Sequence, residues 1–288
     1  MKRTAAFSVL CGLLLGCARS HPITVGSKNF TEQIILGEII AQQIERRLGA
    51  RVERKLDLGG TLLAQQALRN GEIDLYPEYT GTALTAILKL PPSTDETAVL
   101  DRVRTEYRRR WNLDWLGPLG FDNTFAMAVR GSDARAENLR TLSDASHRPQ
   151  GWKLGCGYEF LQRPDGLAGL LAAYHLPLDG PPKSMDLGLL YSALEQKQVD
   201  MAAASATDGM LSVLDVRVLR DDRHYFPPYQ AAIVVRAQTL AAHPGLRAAL
   251  DQLTGKLSDA AMRRLNYQVD GRHRSSADVA REWLAANQ

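Results

Sequence analysis

Apolar and polar positions along the chain switch repeatedly between a short and a helical period. Ile23–Gly26 is a short apolar run of the kind a buried strand shows, and from Phe30 to Leu48 the apolar residues recur at helical spacing, with Ile40, Ile44 and Leu48 on one face. Asn29 followed three residues later by Glu32 reads as a capping box opening this helix, and Gly49 as its stop. Val52–Leu56 then reads as a strand, Thr61–Arg69 as a helix ended by Asn70 and Gly71, and Ile73–Tyr76 as the next strand. This alternation predicts an α/β fold with a mostly parallel sheet. From Leu246 onward the pattern is helical, and Ser275 and Ser276 open a last amphipathic stretch that reaches Trp283 and Leu284.

Two helix–strand units look alike. Leu62-Leu63, Ala67-Leu68 and Ile73-Asp74 match Leu189-Leu190, Ala193-Leu194 and Val199-Asp200 in order, with an equal final spacing. Any helix feeding a strand shows something of this pattern. The sharper reading is two similar lobes, each with a ligand-facing loop past its strand, Pro77–Thr82 in the first and Ser205–Gly209 in the second. The strand-like segments Phe125–Arg130 and Ala231–Arg236 bracket the second unit and are the expected crossings. The first lobe would then hold residues 23–124 and 231–288, with the C-terminal helices packed on it, and the second lobe residues 125–230.

The N-terminus departs from this pattern. Lys2 and Arg3 precede an apolar stretch from Ala5 to Leu15, far shorter than the roughly 18–20 apolar residues a membrane span needs. Charge, short apolar core and small residues describe a signal peptide over residues 1–16. Leu14-Leu15-Gly16-Cys17 resembles a bacterial lipobox, which would make Cys17 the lipidated first residue of the mature chain, followed by a tether over residues 17–22; the alternative is a plain secretory signal with an incidental cysteine. Without that segment, all but two of the 35 basic residues remain against 32 acidic ones, so the charge is near zero and gives no nucleic-acid signature. Cys156, between Gly155 and Gly157, is the one cysteine left for the folded part and reads as a small buried residue. No Gly-x-Ser-x-Gly elbow, phosphate-cradling glycine loop or metal-ligand spacing among the six histidines is present, so the expectation is capture of a ligand and not an enzyme, with no cofactor and no metal.

Seven segments, in order and spread over nearly the whole mature chain, resemble the osmoprotectant-binding proteins of the glycine betaine/choline ABC transporter family. They are Gly26–Gln33, Leu58–Thr61, Gly71–Thr82, Leu119–Phe125, Arg163–Gly166, Thr207–Gly209 and Asp221–Tyr229. The resemblance implies a two-lobed, type II periplasmic-binding-protein fold that closes on its ligand like a clamshell with two crossing strands. It also implies an extracytoplasmic, membrane-anchored subunit whose partners are a small quaternary ammonium or betaine ligand and the permease and ATPase subunits of an importer. A sensor that reports the same ligand to a receptor would use the same clamshell.

A trimethylammonium group cannot donate a hydrogen bond, so its recognition depends on cation–π attraction to ring faces and on shedding water from its methyl groups. The family's aromatic cage carries over to Tyr79, Phe125, Ser205 and Tyr229. Phe125 keeps a ring without the phenol oxygen, and Ser205 supplies no ring, so one wall of the cage is missing unless a neighbour such as Tyr76 or Tyr225 replaces it. For a ligand carboxylate the resemblance points to Lys28, Thr82 and Arg163. Arg163 comes from the other lobe and can grip a carboxylate bidentately, which would give ligand-driven closure a physical cause. The gap at Ser205 also admits a bulkier trimethylammonium compound, such as carnitine or ergothioneine.

Overall fold

The computed structural model describes residues 22–287. The expected signal peptide and Cys17 lie outside the described residues. Ten strands form two five-stranded sheets. The first contains β1 (Ile23–Gly26), β2 (Val52–Lys55), β3 (Leu75–Tyr79), β4 (Leu113–Asp122) and β10 (Gln230–Arg236), in the order β2-β1-β3-β10-β4. The second contains β5 (Phe125–Arg130), β6 (Leu154–Cys156), β7 (Lys183–Ser184), β8 (Met201–Ser205) and β9 (Val216–Leu219), in the order β7-β6-β8-β5-β9.

The two sheets match position for position. In each, the first three strands run parallel and the fourth runs antiparallel to both its neighbours. The sheets are therefore mixed where a mostly parallel sheet was expected, because β5 and β10 enter from the neighbouring connection and not from a crossover helix. The likeness of the two helix–strand units marks equivalent pieces. Helix α2 (Thr61–Asn70) leads into β3 as the helical segment Leu187–Glu195 leads into β8.

Local signals account for several helix ends. Helix α1 (Thr31–Leu48) stops at Gly49 and α2 at Gly71, both in the left-handed region that glycine enters without strain (φ 61° and 76°). Ile35, Leu36, Ile39, Ile40 and Ile44 are buried where α1 lies between the first sheet and the C-terminal helices, at about 1.5–3 kcal/mol for each fully buried side chain. Ser275 accepts the Asp278 N–H and caps helix Ser276–Ala286, which returns to the first lobe, where the Gln42 side chain donates to the Ala277 carbonyl at 2.9 Å.

Two further expectations fail. The α1 N-cap is Phe30 with no side-chain cap, because the Glu32 carboxylate turns toward the seam between the lobes. The third strand is Leu75–Tyr79, so Pro77–Tyr79 belongs to a strand and not to a loop. Antiparallel pairing of Pro77, Glu78 and Tyr79 with Ile233, Ala232 and Ala231 holds it there, although proline ordinarily argues against a strand interior.

The chain changes sheet twice. Asn123 and Thr124 join β4 to β5, and residues 220–229 join β9 to β10. The connectors are tied together where they pass, since the Asn123 N–H donates to the Tyr229 carbonyl (3.2 Å) and the Tyr229 N–H to Asp122 Oδ2 (2.8 Å).

Candidate functional site between the lobes

The ends of β1 and β3 deliver Lys28, Glu78 and Tyr79 to the seam. Lys28 Nζ lies 2.5 Å from Glu78 Oε1, with both side chains 2% exposed or less. A buried charge persists only when paired and hydrogen-bonded in this way. The Tyr79 N–H donates to Glu78 Oε1 (2.7 Å) and the Tyr76 hydroxyl to Oε2 (3.0 Å). Lys28 Nζ also stands 5.0 Å from the Tyr79 ring centre, within cation–π reach.

Glu32, in the first turn of α1, collects donors from four parts of the chain. Its Oε1 accepts from the Tyr79 hydroxyl (2.6 Å) and Asn123 Nδ2 (2.8 Å). Its Oε2 accepts from the Thr207 hydroxyl (2.5 Å) and Asn266 Nδ2 (3.0 Å). Burial pushes its carboxyl above the usual carboxylate range, and these four bonds only partly oppose that. Glu32 thus ties the first lobe to a connector and to the loop that follows β8.

From the second lobe, Arg163 follows the short helix Tyr158–Gln162. It grips Asp165 with Nε and Nη2 (2.9 and 2.6 Å) and reaches Thr82 Oγ1 of the first lobe with Nη1 (2.9 Å). The Tyr229 hydroxyl donates to Asp165 Oδ2 (2.6 Å). Burial works against the Asp165 charge, but Arg163 outweighs it and holds the carboxyl below its usual range. The guanidinium carbon lies 5.2 Å from the Phe125 ring centre and 5.5 Å from that of Tyr229. Nearby, Glu159 crosses the seam: its Oε1 accepts the Thr61 N–H at the start of α2 (2.5 Å) and Oε2 accepts the Thr61 hydroxyl (3.1 Å). Burial again opposes ionisation, and Lys28, the Thr61 N–H and Arg163 prevail and lower its pKa.

The structure thus groups the expected site residues into two neighbouring sets. Lys28 and Tyr79 form one, with Phe30 stacked on Tyr79 at 6.4 Å. Thr82, Phe125, Arg163 and Tyr229 form the other, and Ser205 stands opposite Phe125 in the pairing of β5 with β8. Phe125 contacts the rings of Phe160 (4.9 Å), Phe226 (5.7 Å) and Tyr229 (5.7 Å). Tyr76 takes no part in this cluster, being fully buried against Glu78, and Tyr225 meets it edge-on at Phe226 (5.0 Å) and through its hydroxyl, which donates to the Pro164 and Gly166 carbonyls beside Asp165. A cleft of about 360 Å³ runs beside the connectors and borders the cluster at Phe125, Ala206 and Phe226. Cys156 is buried, which pushes its thiol up to about 11, so it is protonated at neutral pH.

Lys28 and Arg163, expected as free cations for a ligand carboxylate, each already hold a carboxylate of the chain. Glu78 and Asp165 are those partners. Both stand inside motifs the sequence reading singled out, where only the cation and the ring were weighed. Glu32 was read as a helix cap, and for Glu159 no local signal exists, because its partner Thr61 lies 98 residues away. Phe30, Phe160 and Phe226 were visible as aromatics only.

Residues 21–286 match the family described as the substrate binding domain of ABC-type glycine betaine transport systems. A glycine-betaine-binding protein of Pseudomonas aeruginosa is 35% identical, with 93% of this chain and 89% of that protein covered. An ergothioneine transport permease/ergothioneine binding protein of Helicobacter pylori is 34% identical over 91% of this chain, which spans about half of that longer protein (47%). Among solved structures, one described as a glycine betaine/carnitine/choline ABC transporter superposes with a TM-score of 0.78 at 30% identity, covering 92% of this chain and 98% of that one. The matching two-lobed architecture and the match over nearly the whole described chain agree: the chain belongs to the family of substrate-binding domains of ABC-type glycine betaine transport systems.

Proposed function

We propose that the chain is the extracytoplasmic capture subunit of an ABC importer, anchored through a lipid on Cys17, that binds a betaine-like or choline-like quaternary ammonium compound between its lobes without chemical change. Its lobes are residues 23–124 with 231–288, and 125–230; a permease and an ATPase complete the importer. The observation that carries the reading is the set of ring faces at the seam, Tyr79, Phe125 and Tyr229, beside a surplus of negative charge. Lys28 pairs with Glu78 and Arg163 with Asp165, and Glu159, 3.8 Å from Arg163, adds a third carboxylate against these two cations. A cation is therefore favoured over an anion, and the ammonium group of the ligand sets most of the affinity. Lys28, Thr82 and Arg163 are the positions for a carboxylate where the ligand has one, and they give it less than free cations would.

A bulkier trimethylammonium compound, such as carnitine or ergothioneine, is the second reading, favoured by the absent ring at Ser205 and the cleft that adjoins Phe125 and Ala206. Calorimetric titration with choline, glycine betaine, carnitine and ergothioneine separates the two. The first reading expects choline to bind most tightly, with a Kd of about 1–100 μM. A panel in which nothing binds below about 1 mM would refute both.

A further inference from the structure

We propose that the pole of the first lobe opposite the seam lies against the anionic phospholipid surface of the membrane that carries the chain. The inference rests on the lipid-anchor reading of Cys17. Strand direction defines this pole. The ends of β1 and β3 reach the seam, so their starts, Ile23 and Leu75, lie at the other end of the sheet, together with Val52 of the parallel β2. Leu113 and Arg236 pair there too, where β4 begins and β10 ends.

The helices that lead into β2, β3 and β4 run back from the seam, and each ends at this pole in arginine. Arg46 and Arg47 close α1, Arg69 closes α2, and Arg108, Arg109 and Arg110 close the helix Glu96–Trp111. The helix dipole favours a cation in each last turn singly, but the topology gathers them at one end of the lobe. Arg69 joins two of these ends, with its guanidinium carbon 5.1 Å from the Trp111 ring centre. The acids present are outnumbered. Glu106 is shared by Arg109 and Arg110, and Asp114 by Arg108 and Arg247. Glu45 takes Arg54, while Arg46, Arg51 and Arg69 keep no carboxylate partner among the described residues. Glu53 and Glu72, exposed and likewise without an ion pair among those residues, offset only part of this surplus.

Two features choose a lipid surface as the occupant. The chain enters at this pole, since the Ile23 N–H donates to the Arg51 carbonyl (3.1 Å). Five peptide steps separate Cys17 from Pro22, a reach of at most about 18 Å. A lipid on Cys17 therefore holds this pole nearest the leaflet, within about two screening lengths at physiological salt. The cations are also spread over the ends of helices on both faces of the sheet, which suits a plane of phosphates and not one small anion. With the pole on the leaflet, the seam at the other end of the sheet stays open to the solution from which ligand is captured.

The test uses the processed chain from residue 17 onward with Cys17→Ala, which keeps every residue of both lobes. It is co-sedimented with vesicles of phosphatidylcholine alone, or with phosphatidylglycerol added at about one lipid in three. Variants R46Q/R47Q/R51Q and R69Q/R109Q/R110Q strip the pole from its two sides, and K153Q/K183Q/K197Q removes equal charge from exposed positions of the second lobe. The expected result is binding that requires phosphatidylglycerol and falls at least tenfold in each arginine variant, from about fivefold for each charge near the surface, with less than about twofold change in the lysine variant. Binding that ignores lipid charge would overturn the proposal, as would arginine variants that bind like the parent or a lysine variant that falls as far as they do. The mass of the exported chain reads the lipid on Cys17 separately; its absence counts against the anchor reading alone, because the vesicle test is made without the lipid.

Discussion

Glu159→Ala removes the carboxylate that joins the lobes at the start of α2. A hydrogen bond to a charged group contributes about 1.5–3 kcal/mol when buried. The Glu159 side chain is 42% exposed, so solvent screening reduces its worth to about 1 kcal/mol. At about 1.4 kcal/mol per tenfold, closure weakens roughly fivefold. The same substitution removes one of the seam's carboxylates while Lys28–Glu78 and Arg163–Asp165 remain as pairs. A pure cation loses that attraction too, worth about 0.5 kcal/mol at a partly exposed position, or another factor of about two. Choline should therefore bind about tenfold more weakly. Glycine betaine should lose about fivefold or less, because its carboxylate gains the vacated N-terminus of α2. Glu159→Gln keeps an acceptor for Thr61 and should cost choline only about twofold to threefold by the same screening argument. Calorimetry with both ligands, at two salt concentrations, checks the pattern. A larger loss for glycine betaine than for choline, or no change beyond twofold for choline, would contradict the assignment of Glu159.

Ser205→Tyr places a ring opposite Phe125 on the same face of the second sheet and should tighten glycine betaine by about twofold to thirtyfold, the range of one added cation–π contact; unchanged affinity in a titration would show that the missing wall is immaterial. Lys28→Met strands Glu78 in the interior and should cost about 3–5 kcal/mol in urea denaturation, with Lys28→Met/Glu78→Gln recovering most of it; a single variant as stable as the parent would contradict the pairing. Burial raises Asp122 to about 6, so protonation favours the folded state: its contribution is full below about pH 4 and is lost as pH rises through 6. Asp122→Asn should gain up to about 3 kcal/mol on the parent between pH 4 and pH 8, and parallel stability curves for the two proteins would refute this.

Where a signal is local, the sequence shows it. Gly49 and Gly71 end their helices because a left-handed residue is needed there, and Ser275 opens the last helix because its hydroxyl meets an orphan N–H three residues on. The lobes were legible from the repeat, since equivalent helix–strand units carry like apolar spacing. Strand β3 was misplaced because the pairing that keeps Pro77 extended comes from β10, more than 150 residues later. Glu32 was misread for a similar reason. Its spacing from Asn29 imitates a capping box, whereas the donors that claim it include Asn266, 234 residues away.

The charges of the site show most clearly what a residue-by-residue reading omits. The family resemblance points to Lys28 and Arg163 for a ligand carboxylate, but a buried cation requires a partner and the fold supplies one within 2.6 Å of each. Pairing changes what the rings are for as well. Lys28 lies on Tyr79, and Arg163 on Phe125 and Tyr229, so all three ring faces already attract cations inside this fold. Under the proposed function, a ligand ammonium brought against those rings meets two neutralised pairs and a further carboxylate, Glu159, 3.8 Å from Arg163. On that proposal, selection for a cation follows from the way the chain satisfies its own charges, with Glu159 and Glu32 as carboxylates beyond the two paired ones.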